Sequence, residues 1–381
     1  DVYKRQVRHS MDKIVRQRVL ALAQGYEDLN DHEELRHDPL LQTVVESTGE
    51  LASAPTLCRM ENRADRHSAI ALNELLVDLF IESHDKAPEE VVLDFDATDD
   101  PVHGRQEGRF FHGYYDRYCF LPLYVFCGSQ PLLAWLRPAN IDGARGAWIA
   151  LRWLVKRLRE VWPEVRIIWR AESVFCRWRM LQRSDRHNVD YIVGLAKNAR
   201  VTRLAGHLLE EAEEGWDRTG EKQRVFGWIE YGASTWDRPR RVIAKAEHSD
   251  KGSNPRFVVT SLKGDPGELY DRTYCARGDM ENRIKEQQLG LFADRTSCHA
   301  WWPNQLRLLL STLAYVLIDA LRRLALKGTD WAQRQATTLR VCLLKIGAVI
   351  VRNTRRVVVH LSSSWPGRDH FIAAHAKLRS G

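Results

Sequence analysis

Val91 to Asp100 reads VVLDFDATDD, and the reading of the fold turns on it. A β-branched and aliphatic run gives way to alternating Asp and Phe, the pattern of a buried strand in which Asp94 and Asp96 point to one face. The strand's end then delivers Asp96 into a turn that holds Asp99 and Asp100. Carboxylates at a strand end are how divalent metals are gripped, yet an ordinary solvated turn is just as rich in Asp. Other acidic residues must separate the two readings.

Two further acidic sites follow. Arg166 to Phe175, RIIWRAESVF, is a second apolar strand ending in Glu172, and Tyr274 to Gln288, YCARGDMENRIKEQQ, is a charged helix carrying Glu281. Three carboxylates from two strand ends and a helix can converge on a pair of Mg²⁺ ions that clamp the attacking and leaving oxygens of a phosphoryl transfer. That chemistry suits DNA strand cleavage and joining. Tyr274, Arg277, Glu281, Lys285 and Gln288 fall near one helical stripe at steps of three and four. An exposed Arg-Glu-Lys ladder would look the same. With Asp96 and Glu172 upstream, Tyr274 and Arg277 read instead as phosphate-positioning groups beside a metal ligand.

The 381 residues allow a large core and two or three domains at about 100 to 200 residues each. Lys and Arg total 57 against 50 Asp and Glu, a net charge of +7, which favours polyanionic partners. Most of the 13 Trp residues are expected in the core or at interfaces. The seven cysteines, Cys58, Cys119, Cys127, Cys176, Cys275, Cys298 and Cys342, form no Cys-x-x-Cys pair. This implies reduced cytoplasmic thiols and argues against a structural zinc. His103, His112 and His299 are scattered and are expected in polar or packing roles. The longest uncharged apolar run, Leu308 to Ile318, is far short of the roughly 18 residues that span a bilayer, so it predicts a buried helix and no membrane association. The chain opens DVYKRQ rather than with Met, which predicts a truncated start.

Helical spacing predicts helices over Ser10 to Ala23 and Ser68 to Ile81, with Asp28 to Pro39 loop-like between them. Arg117 to Cys127, RYCFLPLYVFC, reads as one central strand with Pro122 as a bulge or edge. Ala144 to Val161 reads as a helix with Trp148, Leu151, Val155 and Leu158 on one face, Trp162 following on, and its basic residues elsewhere, where solvation is the simpler role. Strand, strand, helix, strand is an RNase H-like order. Val225 to Tyr231, Arg241 to Glu247 and Arg256 to Leu262 read as strands between Glu172 and Glu281. The expected fold is therefore α/β, an RNase H-like mixed sheet flanked by helices, with a β-rich insertion and a helical N-terminal region. The expected divisions are 1–88, a helical region for DNA-end binding or assembly; 89–200, the first part of the core; 201–262, the insertion; 263–328, the rest of the core; and 329–381, a tail. No helix-turn-helix signature stands out. The tail reads as a helix from Thr329, a strand in VRNTRRVVVHLSS with the basic cluster Arg352, Arg355 and Arg356, and a short final helix. In the insertion, Trp236, Arg238, Arg240 and Arg241 could grip a DNA strand, or form a structural turn with incidental arginines.

Five strings together, LDFDATDDPVHGRQEGRFFHGYYDRYCFLPLYVFCG, RAESVFCR, YIVGLAKNAR, RGDMENRIKEQQLGLFADRTS and NQLRLLLSTLAYVLIDALRR, resemble DDE-type insertion-sequence transposases. The resemblance is strongest to the IS thirteen-eighty group, which is related to the IS-four-like enzymes, and it covers nearly the whole chain. It implies a bacterial, nucleoid-associated enzyme that binds the terminal inverted repeats of double-stranded DNA as a homodimer. It further implies two Mg²⁺ or Mn²⁺ ions, and water and then a 3′ hydroxyl as nucleophiles for strand cleavage and strand transfer. Carried over by position, the catalytic and metal-binding residues are Asp96, with Asp94 as the fallback, Glu172 and Glu281. The DNA contacts on the helix are Tyr274, Arg277 and Lys285, and Trp236, Arg238 and Arg241 are added as DNA-contact candidates from their residue types alone.

This chain departs from the family at three positions. Gln288 stands where Lys is expected, so Lys285 is assigned the positive charge. Glu172 replaces an Asp and Val174 a Gly. The extra methylene moves a carboxylate by roughly 1.5 Å, a shift to which the near-octahedral Mg²⁺ shell is intolerant. A side chain at Val174 is harmful if the backbone there needs positive φ. These departures predict an impaired copy. The competing readings are a non-catalytic DNA-binding relic and a general RNase H-like nuclease.

Overall fold

The computed structural model describes residues 9–353 and 355–380. The expectation about the first six residues lies outside them. In chain order the principal elements are α1 (Met11–Ala23), α2 (Ala54–Glu61), α3 (Arg66–Glu82), β1 (Glu90–Ala97), β2 (Leu123–Cys127), β3 (Gln130–Trp135), α4 (Ala147–Val161), β4 (Arg166–Ala171), α5 (Trp178–Arg186) and β5 (Asp190–Leu195). They continue with β6 (Gln223–Tyr231), β7 (Arg240–Ser249), β8 (Arg256–Thr260), α6 (Gly278–Leu291) and α7 (Trp301–Ala320).

A mixed sheet runs in the order β6-β7-β8-β5-β4-β1-β2-β3. β1, β2 and β3 form an antiparallel meander, while β4 and β5 run parallel to β1. This is the RNase H-like arrangement, a large mixed sheet flanked by helices. Parallel neighbours need a crossover; α5 supplies it between β4 and β5, while α4 carries the chain from the edge strand β3 back to β4 beside β1. On one face of the sheet, Val91, Leu93 and Phe95 of β1 share a core with Leu151, Leu154 and Leu158 of α4. β1 alternates, so Asp94 and Asp96 face the other way.

The expected single strand over Arg117 to Cys127 is two strands. Arg117–Phe120 joins a small sheet with Asp100–Pro101 and Phe110–His112, and only Leu123–Cys127 enters the main sheet. Pro122, without an N–H to donate, sits in the break. Asp28 to Pro39, expected as loop, contains a 3₁₀ turn at Leu29–Asp31 and a short helix at His32–Leu35, and Pro39 opens another. The 201–262 segment begins with helical residues, within Ala199–Leu204 and Gly206–Thr219, and β6, β7 and β8 then prolong the main sheet. The helix expected from Thr329 is broken into short turns at Asp330–Gln333, Ala336–Leu339 and Arg340–Leu344, and the strand after it is a hairpin of Ala348–Arg352 with Val357–Leu361.

The N-terminal helices form one core with α7: Ile14, Val19, Leu22, Leu57 and Leu76 pack in the same cluster as Leu309, Leu313 and Tyr315. Buried Glu61 joins these layers, accepting from Arg18 Nε at 3.2 Å and from Arg307 Nε at 2.8 Å. Among the described residues no helix is long and apolar enough to cross a membrane. All seven cysteine thiols are free.

Candidate active site

Asp96 and Glu172 stand at the ends of adjacent parallel strands. β1 and β4 pair in register, Asp94 opposite Arg170 and Phe95 opposite Ala171, so the next residues leave side by side. Glu281 arrives from the first turn of α6, where the positive end of the helix dipole favours a carboxylate. All three line one cleft of about 670 Å³, together with Lys285, Gln288 and Tyr114.

Arg277 sits between two of the carboxylates. Its Nη2 lies 2.8 Å from Glu172 Oε1 and 2.8 Å from Glu281 Oε1. Burial works against the guanidinium's charge, but Glu172 and Glu281 hold its pKa above the ordinary range. Asp96 behaves oppositely. Burial pushes its carboxyl up to about 7, with the negative charges of Glu172 and Glu281 adding to the rise and Arg277 opposing it. The three acids thus share one electrostatic field, and the guanidinium partly neutralises it.

The fallback Asp94 is in a different state. It is buried, and Arg170 grips it with two parallel bonds, Nε to Oδ1 and Nη2 to Oδ2, the latter 2.6 Å. The same Arg170 donates through Nη1 to the carbonyl of Thr273. Thr273 lies in a π-helical segment, Leu269–Tyr274, that precedes a 3₁₀ turn and then α6. Widened turns of this kind release carbonyls from the helical ladder. The Asp94–Arg170 pair therefore ties both strands to the start of the helix that carries Glu281.

Other contacts fix the rim. Gln288, where the family expects Lys, donates from Nε2 to the Asp99 carbonyl at 3.0 Å and locks α6 to the turn after β1. Asp100 is buried, accepts from Thr296 Oγ1 at 2.9 Å, and that burial drives its carboxyl well above the usual carboxylate range. Val174 lies in a 3₁₀ turn and is not among the positive-φ residues, so its side chain imposes no left-handed strain. It packs toward Gly143. Gly194 on β5 is required by close approach: a Cβ there would stand 2.7 Å from the Tyr274 hydroxyl and 2.9 Å from the Ser173 amide nitrogen.

The structure brings Asp96, Glu172, Glu281, Arg277 and Lys285 together, with Tyr274 beside them, its ring tilted against Tyr270 at 5.5 Å. It does not bring Trp236, Arg238 or Arg241 to this cleft. Trp236 stands edge-on to Tyr231 at 5.4 Å, Arg238 pairs with Asp185 at 2.8 Å, and Arg241 lies over the Trp228 ring at 3.9 Å. Sequence reasoning missed the aromatic wall of His112, Tyr114 and Tyr115, although the run FFHGYYDRY was a visible signal. It also missed Arg170, whose spacing two residues before Glu172 mirrors Asp94 before Asp96.

Hard carboxylate oxygens are the donor type that Mg²⁺ and Mn²⁺ select, and in that respect the residues fit a divalent cation. Among the described residues, however, no three acidic, His or Cys side chains stand close enough to hold an ion as they are placed. Arg277 fills the gap between Glu172 and Glu281, so a cation held by both requires its withdrawal.

A family model described as Transposase DDE domain group 1 matches residues 2–381. Among solved structures, the cryo-EM structure of a piggyBac transposase synaptic complex with hairpin DNA is similar, at 13% identity over 87% of this chain and 70% of that one, with a TM-score of 0.45. No curated protein matches the chain.

Proposed function

The chain belongs to the transposase DDE domain group 1 family, and from that premise we propose that it binds the terminal inverted repeats of an insertion sequence of the IS thirteen-eighty group and cuts and joins DNA strands there. The observation that carries the reading is one cleft lined by Asp96, Glu172 and Glu281, drawn from two neighbouring strand ends and one helix. These three residues would hold a divalent cation, two Mg²⁺ or Mn²⁺ ions in the full site, which when bound supplies charge stabilisation to the attacking and leaving oxygens.

The protein's own groups do the rest. Arg277 spans Glu172 and Glu281 and swings to a phosphate when DNA enters, because a phosphate offers it a bidentate partner of the same geometry as a carboxylate. Lys285, exposed on the rim one turn after Glu281, and Tyr274 hold the strand beside the carboxylates. Burial favours the protonated form of Asp96, which must lose that proton before it can act as a ligand. The partner is double-stranded DNA, the transposon ends and the target, engaged by a homodimer.

The test is strand cleavage on a terminal inverted repeat with Mg²⁺ or Mn²⁺, with Glu172→Asp run in parallel. Cutting by the natural chain supports the reading. Cutting only by Glu172→Asp identifies a DNA-binding relic whose Glu172 has lost the ion's position. Cutting of any duplex regardless of its ends identifies a general nuclease.

A further inference from the structure

Away from the cleft, a second basic site lies between α4 and α5. α4 buries Leu151, Leu154 and Leu158 in the sheet core, which leaves Arg152 and Lys156 exposed. Trp148, Arg152, Lys156, Arg159 and His187 line a slot of about 280 Å³. From α5, Arg183 places its guanidinium 5.4 Å from the centre of the Trp148 ring, and the His187 ring lies 5.5 Å from the same tryptophan. Two helices thus contribute four cations around one aromatic floor.

The charges there are not balanced. Lys156 has Glu160 at 3.8 Å, a solvent-exposed pair worth little. Arg159 is held in place by the carbonyls of His187 and Asn188, each at 2.8 Å. Among the described residues, neither Arg152 nor Arg183 has a carboxylate within ion-pair distance; Asp185, the acid on α5, is already engaged by Arg238 and Arg240. A merely solvated helix face intersperses both signs, whereas this one concentrates positive charge.

The spacing matches a polyanion. Arg152, Lys156 and Arg159 fall at steps of four and three, a basic row of roughly 10 Å along the helix. That is about three nucleotide steps of a duplex strand at 3.4 Å each. Arg159 is the anchored end of the row, and Arg152 and Lys156 are its exposed members, joined across the slot by Arg183 of α5. Both helices also leave from loops that line the carboxylate cleft, Gly143 ahead of α4 and Ser173 and Val174 ahead of α5. The row therefore starts near the cleft at the N-terminal end of α4 and leads away from it along the helix.

Resting on the function proposed above, we propose that the α4–α5 slot is a phosphate-backbone site for the duplex flanking the cleft, with Arg152, Lys156 and Arg183 as its phosphate contacts and Trp148 as the surface against which the sugar edge rests. None of these residues touches the carboxylates.

The experiment is fluorescence anisotropy of a labelled duplex titrated with the full chain in EDTA at several salt concentrations, comparing the natural protein with Arg152→Glu/Arg183→Glu. Loss of two phosphate contacts should flatten the dependence of log Kd on log salt by about 2. It should also weaken binding at low salt by about tenfold or more. Arg152→Gln/Arg183→Gln, which adds no acidic charge, should flatten the slope similarly and guards against misfolding of the double glutamate variant. An unchanged slope in a folded variant overturns the proposal. So does a variant that loses only its thermal stabilisation by inorganic phosphate, since that marks a small-anion site. A natural chain that binds and cuts duplex while the variant's slope is unchanged sinks this site alone. A natural chain that binds no duplex sinks it together with the function above. Slope loss in a chain that never cuts retains the site and rejects the chemistry.

Discussion

Two charge sandwiches in this molecule are built with opposite signs and opposite surroundings. At the junction of the N-terminal helices with α7, the carboxylate of Glu61, only 1% exposed, lies between Arg18 and Arg307. In the cleft, the guanidinium of Arg277 lies between Glu172 and Glu281, whose side chains are 51% and 40% exposed. The first carries a positive excess around a carboxylate buried away from water, where breaking it leaves a poorly solvated, uncompensated charge. The second carries a negative excess that water and ligands can reach. Burial makes the one structural and access makes the other available for chemistry. Composition alone does not distinguish them.

The largest expected effect falls on the open sandwich and its neighbour. Asp96→Ala should cut metal-dependent strand cleavage by about 10⁴-fold, the several kcal/mol that ion-held charge stabilisation supplies. The melting temperature should hold or rise, because a desolvated carboxyl has been removed. A folded Asp96→Ala that still cleaves would remove Asp96 from the site. Glu61→Gln should do the reverse. Stranding Arg18 and Arg307 should cost about 3 to 4 kcal/mol in urea unfolding, while the rate per folded molecule stays unchanged; a loss of less than about 1 kcal/mol would show that water reaches this pair too.

Between these extremes lies Arg170→Met, which touches both themes. It leaves Asp94 unpaired and releases the Thr273 carbonyl, so stability should drop by about 3 kcal/mol. If the tie positions Glu281, kcat should fall more than KM rises, and a drop in stability with an unaltered kcat would reduce it to packing. The smallest effect is a pH response in the same N-terminal layer as Glu61. His32 is buried, and that burial, reinforced by the nearby Arg18 charge, lowers its pKa from 6.5 to about 4. The unfolded chain therefore binds the proton that the folded chain refuses. Stability is complete above pH 6.5 and is lost as pH falls toward 4, by roughly 2 kcal/mol. Urea midpoints for the natural chain and His32→Gln should converge at low pH, and parallel curves would exclude His32 as the cause.

Much of the site was legible along the chain. The alternation in VVLDFDATDD, the strand ending in Glu172 and the stripe from Tyr274 to Gln288 each have a short-range period that one sequence displays. The sheet order was legible only in outline. β3 went unread because QPLLAW is short and carries a proline at its second position, and the run over Arg117 to Cys127 concealed a break at Pro122. The segment expected as an insertion merges with the sheet because β8 pairs with β5, a long-range choice that no local pattern encodes. Trp236, Arg238 and Arg241 had the residue types of a DNA grip, yet they are engaged by Tyr231, Asp185 and Trp228.

Taken alone, the residues determined that an acidic strand end, a second acidic strand end and an acidic helix exist, and that the chain carries net positive charge. Periodicity and composition are local properties, and they survive in a linear string. Only the tertiary structure decided that Asp94 is neutralised by Arg170 while Asp96 is left to the cleft, that Arg277 stands between Glu172 and Glu281, and that Arg183 of α5 lies over Trp148 of α4. Each outcome depends on which groups lose water together and which partner arrives from elsewhere in the chain, and folding alone sets those distances.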